Sequence, residues 1–97
     1  MEIEFDPAKD VANLEKHGES LHAAAGLDWE AGLFAPDYRR DYGEERWVGY
    51  VTKGGRLYCV VFVDRGDVRR IISLRKANRR ESRRYARDIH GTHPPHS

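Results

Sequence analysis

An arginine-rich segment near the carboxyl end of the sequence has the clearest chemical character. The stretch RIISLRKANRRESRRY, residues 70–85, contains six arginines and one lysine but a single acid, Glu81. A guanidinium group is planar and holds phosphate through two parallel hydrogen bonds. Helical spacing predicts two outward rows of arginines, which are Arg79, Arg83 and Arg87 in one and Arg80 and Arg84 in the other. Because stacked like charges destabilise a helix, we expect an anion at this surface.

Other side chains have the chemistry of proton transfer, each with a simpler explanation beside it. His17 has an ordinary pKa of about 6.5 and suits a general base or acid, but a cation also favours the carboxyl end of a helix. Lys9 is typical of a solvated helix position. Glu45 is a candidate base, although paired acids before a strand more often protect a sheet edge. Tyr85 lies on the inward stripe of the last helix, which favours a place in the core.

The sequence carries no convincing metal or nucleotide motif. Three histidines lie three residues apart near the end of the chain, at His90, His93 and His96. They share a proline-containing tail and lack a second cluster of ligands, so we predict no zinc site and no cofactor. Paired cysteines and a glycine-rich phosphate loop are absent from the sequence.

The amino-terminal third is predicted to contain a short strand and two helices. Asp6 before Pro7 is typical of a helix start, and Gly18 after two basic residues is typical of a helix end. These signals predict a helix over residues 7–17, after a strand at EIEF. Ser20 is the expected cap of a second, shorter helix, LHAAA.

Strand signals dominate the middle of the sequence. WEAGLF alternates weakly and is predicted as a strand, and PDYRRDYGE as a polar loop. Three further strands, joined by the turns KGG and DRGD, are predicted at ERWVGYVT, RLYCVVFV and VRRIISLR. RLYCVVFV is apolar on both faces, which favours the central position, and consecutive hairpins favour a mostly antiparallel sheet.

The last helix is predicted to start near Asn78. Glu81, three residues later, is placed to complete a capping box with it. The predicted inward stripe consists of Ser82, Tyr85, Ala86 and Ile89. We expect a single folded domain over residues 1–90 and a flexible tail over residues 91–97.

Composition favours a soluble cytoplasmic protein with an uneven charge distribution. The single cysteine, Cys59, lies in an apolar run and is expected to be buried, and no signal peptide or membrane span is predicted. Residues 1–45 carry four basic and twelve acidic side chains, whereas residues 46–97 carry thirteen and four. This asymmetry favours a polyanionic or acidic partner, although the two halves also partly neutralise each other.

Several segments resemble the BrnT-type toxins of bacterial type II toxin–antitoxin modules. They are FDPAK and NLEKHG near the amino terminus, then GEERWV, then GRLYCVVFVDRGDVRRIISLRKANRRESRRY. The resemblance implies a RelE-like microbial ribonuclease fold and an α+β class, with two amino-terminal helices and one carboxyl-terminal helix against a small sheet. It also implies metal-independent cleavage of RNA, inhibition of translation, and neutralisation by a ribbon-helix-helix antitoxin.

With this resemblance, particular residues become candidates for RNA cleavage by attack of the 2′-hydroxyl. Such cleavage needs a base, an acid and positive charge on the phosphorane. The candidate catalytic residues are Arg75, Arg46, His17, Lys9 and Tyr85, with Arg75 expected to hold the phosphate. The candidate RNA- or antitoxin-binding residues are Arg56, Arg79, Arg80, Arg83, Arg84 and Arg87.

A second interpretation stays open from the residues alone. A basic module that binds nucleic acid or an acidic protein without cleaving anything would have a similar composition. Four aromatic residues are candidates for stacking on bases, although such residues more often lie in a core: Trp29, Trp47, Tyr50 and Tyr58. If the chain is a toxin, we expect a complex of two toxins and two antitoxins, which contacts operator DNA only through the antitoxin.

Overall fold

The computed structural model has a small α+β fold and describes residues 1–39 and 43–91. The strands are β1 (Glu2–Glu4), β2 (Leu33–Pro36), β3 (Trp47–Lys53), β4 (Arg56–Arg65) and β5 (Val68–Lys76). The helices are α1 (Pro7–His17) and α2 (Arg79–Gly91), with 3₁₀ helices at Leu21–Gly26 and Trp29–Ala31. The tail was predicted over residues 91–97, but Gly91 belongs to α2, and residues 92–97 lie outside the described residues, as do residues 40–42 of the predicted loop. None of the described helices is long and apolar enough to cross a membrane.

The first helix begins and ends where its capping residues predict. The side chain of Asp6 accepts a hydrogen bond from the Ala8 amide at 2.9 Å, and Pro7 occupies the first turn. At the other end Gly18 adopts a left-handed conformation (φ 73°) and donates its N–H to Leu14. The cap therefore makes His17 the last residue of the helix.

A five-stranded mixed sheet forms the centre of the fold, in the order β1-β5-β4-β3-β2. The pairs β2–β3, β3–β4 and β4–β5 are antiparallel, as the hairpin signals predict, and β4 is central. The sheet is mixed because β1 pairs with β5 in parallel, bringing Glu2–Glu4 beside Val68–Arg70.

One face of the sheet is covered and holds the core. Leu21, Ala24 and Leu27 from the amino-terminal segment pack on Val51, Val60, Phe62, Ile71 and Leu74 of the sheet. Trp29, Trp47 and Tyr58 pack against this cluster as partly buried side chains. Three of the four aromatic residues proposed for base stacking therefore contribute to the core instead.

The segment WEAGLF is not one strand, so that prediction is wrong in its first half. Residues Trp29–Ala31 form a 3₁₀ helix, and the strand starts only at Leu33. The indole of Trp29 explains the difference, because its N–H donates to the Ala24 carbonyl and its ring meets Phe62 edge-on at 5.3 Å. Burial of the ring and this hydrogen bond favour a turn that an extended chain would not allow.

The last helix starts with the predicted capping box but presents a different inward face. Asn78 accepts from the Glu81 amide at 2.8 Å, and Glu81 accepts from the Asn78 amide at 2.9 Å. Ser82, Tyr85 and Ile89 are half-buried, whereas Ala86 is exposed, contrary to the prediction. Glu81 and Tyr85 make the contacts to the sheet layer, so the buried face is rotated away from Ala86.

Candidate functional site

The uncovered face of the sheet places three polar side chains in one row. Tyr50 on β3 pairs with Cys59 on β4, and Cys59 pairs with Arg75 on β5. Directly paired residues lie on the same face of a sheet. The three side chains therefore form a line across the sheet, on the face opposite the core.

A β-bulge in β5 sets the face on which Arg75 lies. Phe62 pairs with Ile71, but the neighbouring Val61 pairs with Ser73, so one extra residue is inserted in β5. A regular ladder would continue so that Leu74, not Arg75, faced Cys59. The bulge thus buries Leu74 in the core and turns Arg75 to the open face, as bulges near functional sites often do.

An open cavity of about 800 Å³ lies over this face. Its lining comes from β3, β4 and β5, from the end of α1, from the first turn of α2 and from the segment after β2. The lining residues that carry charge or a titratable group are Lys16, His17, Asp37, Tyr38, Arg39, Tyr50, Cys59, Arg75 and Glu81. Basic and acidic side chains thus line the cavity, and residues of β3, β4 and β5 form its base.

Arg75 is held in the cavity by Glu81. Its Nη1 and Nη2 donate to the two carboxylate oxygens of Glu81 at 2.7 and 2.8 Å, and Nη1 also donates to the Lys76 carbonyl at 3.3 Å. The hydrogen bonds from Arg75 lower the pKa of Glu81 to about 2, and the ion pair raises the pKa of Arg75. Glu81 is therefore ionised throughout the physiological range and is a poor base.

His17 reaches the same cavity because α1 is fixed to β5 one residue before Arg75. The buried Asn13 donates to the Leu74 carbonyl at 2.7 Å and accepts from the Leu74 amide at 3.1 Å. His17 follows Asn13 by one helical turn and therefore lies on the same side of α1. Partial burial, and then the positive charges of Lys16 and Arg75, lower the pKa of His17. The imidazole is consequently neutral at pH 7.

Tyr50 and Cys59 remain protonated in the cavity. Burial, followed by the neighbouring Cys59 and Glu81, raises the pKa of Tyr50 to about 12, and its hydroxyl donates to Glu81 at 3.2 Å. Burial is also the main cause that raises the pKa of the Cys59 thiol. At neutral pH both are therefore hydrogen-bonding groups and not nucleophiles.

The arginine rows of α2 are exposed to solvent. Arg79, Arg80, Arg83, Arg84 and Arg87 are all exposed, and within the described part of the chain none of them forms an ion pair. Other cations of the basic half do pair with the acidic half, in the bridges Arg65–Glu44, Arg70–Glu4 and Lys76–Glu19. The two halves thus neutralise each other around the sheet but not along α2.

The structure brings two of the five predicted catalytic residues into this cavity, Arg75 and His17. Tyr85 lines an adjoining cavity beneath α2. Lys9 is exposed on α1, and Arg46 is half-buried just before β3. Arg56 is exposed at the start of β4, and Glu45 is exposed just before β3. Because β3 is an inner strand, the interpretation of Glu45 as a sheet-edge residue is wrong. Among the described residues, no cluster of three or more potential metal ligands occurs.

Sequence reasoning missed several cavity residues. Glu81 was predicted only as a cap, and its spacing of six from Arg75 gave no sign of an ion pair. Tyr50 and Cys59 were not linked to Arg75, because that link requires the strand register. Asp37 and Arg39 form a further carboxylate–guanidinium pair at 2.8 Å, two residues apart in a predicted loop.

The cavity thus holds a guanidinium group, Arg75, and a neutral imidazole, His17, the two kinds of group that metal-independent cleavage of a phosphodiester requires. The comparison with protein families agrees with this class. Residues 5–81 match the family described as the ribonuclease toxin BrnT of type II toxin–antitoxin systems, and the chain belongs to that family. Membership implies an RNA substrate and an antitoxin partner. No curated protein matches the chain.

Proposed function

We propose that this protein is a metal-independent endoribonuclease with a RelE-like fold that cleaves RNA in the cavity over the sheet. The observation that carries the proposal is the placement of Arg75 and His17 in one cavity, the former fixed by Glu81 and the latter neutral at pH 7. The guanidinium of Arg75 is suited to binding a phosphate, and the neutral imidazole of His17 is suited to accepting a proton.

Arg75 would hold the scissile phosphate with the donors that Glu81 leaves available. A guanidinium has five N–H groups. Two donate to Glu81 and one to the Lys76 carbonyl in the described contacts. The remaining Nε–H and Nη2–H lie along one edge of the guanidinium, the geometry that binds phosphate through two hydrogen bonds. Glu81 would then act as a positioning residue.

His17 would take the proton from the 2′-hydroxyl. The 2′-oxygen attacks phosphorus, the bond to the 5′-oxygen breaks, and the products are a 2′,3′-cyclic phosphate and a 5′-hydroxyl. The open cavity gives the leaving oxygen access to water and to the ammonium group of Lys16, another lining residue. Lys9, Arg46 and Arg56 lie outside the cavity lining, so the proposal gives them contacts to flanking RNA and no chemical step.

The exposed arginines of α2 would bind the RNA backbone and be covered by the antitoxin. We propose a ribbon-helix-helix antitoxin in a complex of two toxins and two antitoxins, with operator DNA bound only by the antitoxin. Opposite charge speeds encounter and excludes the substrate from the same surface. In the cytoplasm, RNA cleavage by the released toxin would inhibit translation.

Incubation of purified protein with RNA and excess EDTA tests the activity. We expect cleavage to continue, with fragments that end in a 2′,3′-cyclic phosphate and begin with a 5′-hydroxyl, because the proposed chemistry uses only side chains. Mass spectrometry of the fragment ends provides the measurement. Cleavage that stops in EDTA and returns with Mg²⁺ would contradict metal independence, and RNA that is bound but intact would favour the non-catalytic binding module.

The pH dependence of cleavage tests the role of His17. A base must be deprotonated, so kcat/KM should be constant through pH 7 and fall only below pH 6.5, as the pH passes the lowered pKa of His17. Lys16→Gln removes one of the charges that lower this pKa, so the fall should move to higher pH. His22→Gln, at an exposed histidine in the neighbouring 3₁₀ helix, is the control. An identical profile in Lys16→Gln and the unaltered protein would argue against His17.

A further inference from the structure

A second cavity adjoins the first and lies between α2 and the β2–β3 edge of the sheet, with a volume of about 570 Å³. We propose that it binds the nucleobase next to the scissile phosphate; this inference rests on the proposed function. The second cavity would then be the part of the site that recognises a base of the RNA.

The two cavities are adjacent and share three lining residues. Val48, Tyr50 and Glu81 line both of them. Glu81 contacts Arg75 on one side and the Tyr50 hydroxyl on the other. A nucleotide whose phosphate binds Arg75 therefore has its base within reach of the second cavity.

The lining of the second cavity suits a planar ring with a polar edge. Leu33, Ala35 and Val48 supply apolar surface from the sheet, and the rings of Tyr50 and Tyr85 supply aromatic surface. The hydroxyl of Tyr85 donates to the Ala31 carbonyl at 3.4 Å, which ties this part of α2 to the start of β2. Arg84 and Asp88 add a donor and an acceptor group, the two kinds that the edges of nucleobases recognise.

The exposed arginines of α2 favour a nucleic acid over an apolar peptide in this cavity. Arg84 lines the second cavity and also belongs to the cluster formed with Arg80, Arg83 and Arg87. The cavity therefore has cationic surface on both sides, with Arg75 on one and this cluster on the other. A strand of RNA that follows both would place a base between them.

Filling the cavity tests the inference without altering Arg75 or His17. Ala35 is an exposed lining residue, and Ala35→Phe places a ring where the base is expected. Ala25→Phe, at an exposed alanine in the 3₁₀ helix, is the matched control. The probe is an RNA oligonucleotide with one cleavable linkage and 2-aminopurine on its 5′ or 3′ side. In the binding experiment a 2′-deoxy group at the attacking position blocks cleavage.

We expect the unaltered protein and Ala35→Phe to differ in two measurements. Stacking should quench 2-aminopurine at one of the two positions in the unaltered protein and in Ala25→Phe, and this quenching should be lost in Ala35→Phe. With the cleavable oligonucleotide, an abasic residue at that position should lower the rate of cleavage by the unaltered protein about 5- to 150-fold, the range expected for the loss of one stacked base. Ala35→Phe should show no further loss on the abasic substrate.

The outcomes separate this inference from the proposed function. Bound oligonucleotide that is never quenched, or is quenched equally in Ala35→Phe, would overturn the base site while leaving cleavage at Arg75 intact. Quenching without any cleavage of the cleavable oligonucleotide would support the base site and reject the nuclease activity. A failure to bind the oligonucleotide at all, measured by the anisotropy of an end label, would overturn both.

Discussion

Replacement of Arg75 by alanine is expected to slow RNA cleavage about 10²- to 10³-fold. By analogy with the loss of one donor from an oxyanion hole, the transition state loses about 2.7–4 kcal/mol of stabilisation. The fold should persist, because Glu81 keeps its hydrogen bonds to the Asn78 amide and to Tyr50. The measurement is kcat/KM on an RNA oligonucleotide, with circular dichroism and thermal unfolding to establish that the variant is folded.

Three companion variants show whether the effect belongs to the guanidinium fork. Arg75→Lys keeps the charge but loses the paired donors, so it should recover only part of the activity. Glu81→Gln keeps Arg75 but loosens its position, and we expect a smaller loss than in Arg75→Ala. Arg65→Ala removes an exposed arginine that pairs with Glu44, away from the cavity, and is the control. Cleavage at the unaltered rate by folded Arg75→Ala would exclude Arg75 from the reaction.

A triple change of Arg79, Arg83 and Arg87 to serine is expected to weaken RNA binding about 100-fold at 0.1 M salt. Each single-strand phosphate neutralised contributes about −0.7 to the slope of log affinity against log salt concentration, so three lost contacts make the slope shallower by about 2. These arginines are exposed and form no ion pair within the described residues, so the fold loses little. Binding isotherms over a series of salt concentrations give the slope.

The same triple variant tests whether RNA and antitoxin share α2. Affinity for the antitoxin should fall together with affinity for RNA, because both are proposed to pair with the same rows. Lys53→Ser combined with Arg65→Ser removes two exposed cations from the strand ends and is the control. Loss of RNA binding with unchanged antitoxin affinity would show that the antitoxin binds another face. An unchanged salt slope would show that the RNA does not bind these arginines of α2.

Local signals predicted much of the fold, and contacts between distant segments account for the rest. Asp6, Pro7 and Gly18 define α1 through hydrogen bonds within the helix itself, and turns between alternating segments define the three hairpin strands. The 3₁₀ helix at Trp29–Ala31 depends on where one indole is buried, which no local pattern records. The exposed position of Ala86 likewise follows from how α2 meets the sheet.

The candidate site was predictable in its residue types but not in its assembly. Arginine and histidine in basic surroundings indicated phosphate chemistry, and Arg75 and His17 do share a cavity. The other residues of the row, Tyr50 and Cys59, lie beside Arg75 because of the register of the strands. That register depends on a single extra residue in β5. A count along β5 from the DRGD turn would have placed Arg75 on the core side. Only the paired strands reveal that Tyr50 and Cys59 share its face.

The parallel pairing of β1 with β5 has a consequence for the order of events during synthesis. Glu4 pairs with Arg70, and Asn13 bonds to the backbone of Leu74, so β1 and α1 are synthesised before the partners that they contact about sixty residues later. Contacts of such high sequence separation delay folding until both segments are available. Glu81, which fixes Arg75, emerges later still. The cavity around Arg75 is therefore incomplete until residues 70–81 have folded against the amino-terminal segment, so its assembly is a late event in the folding of the chain.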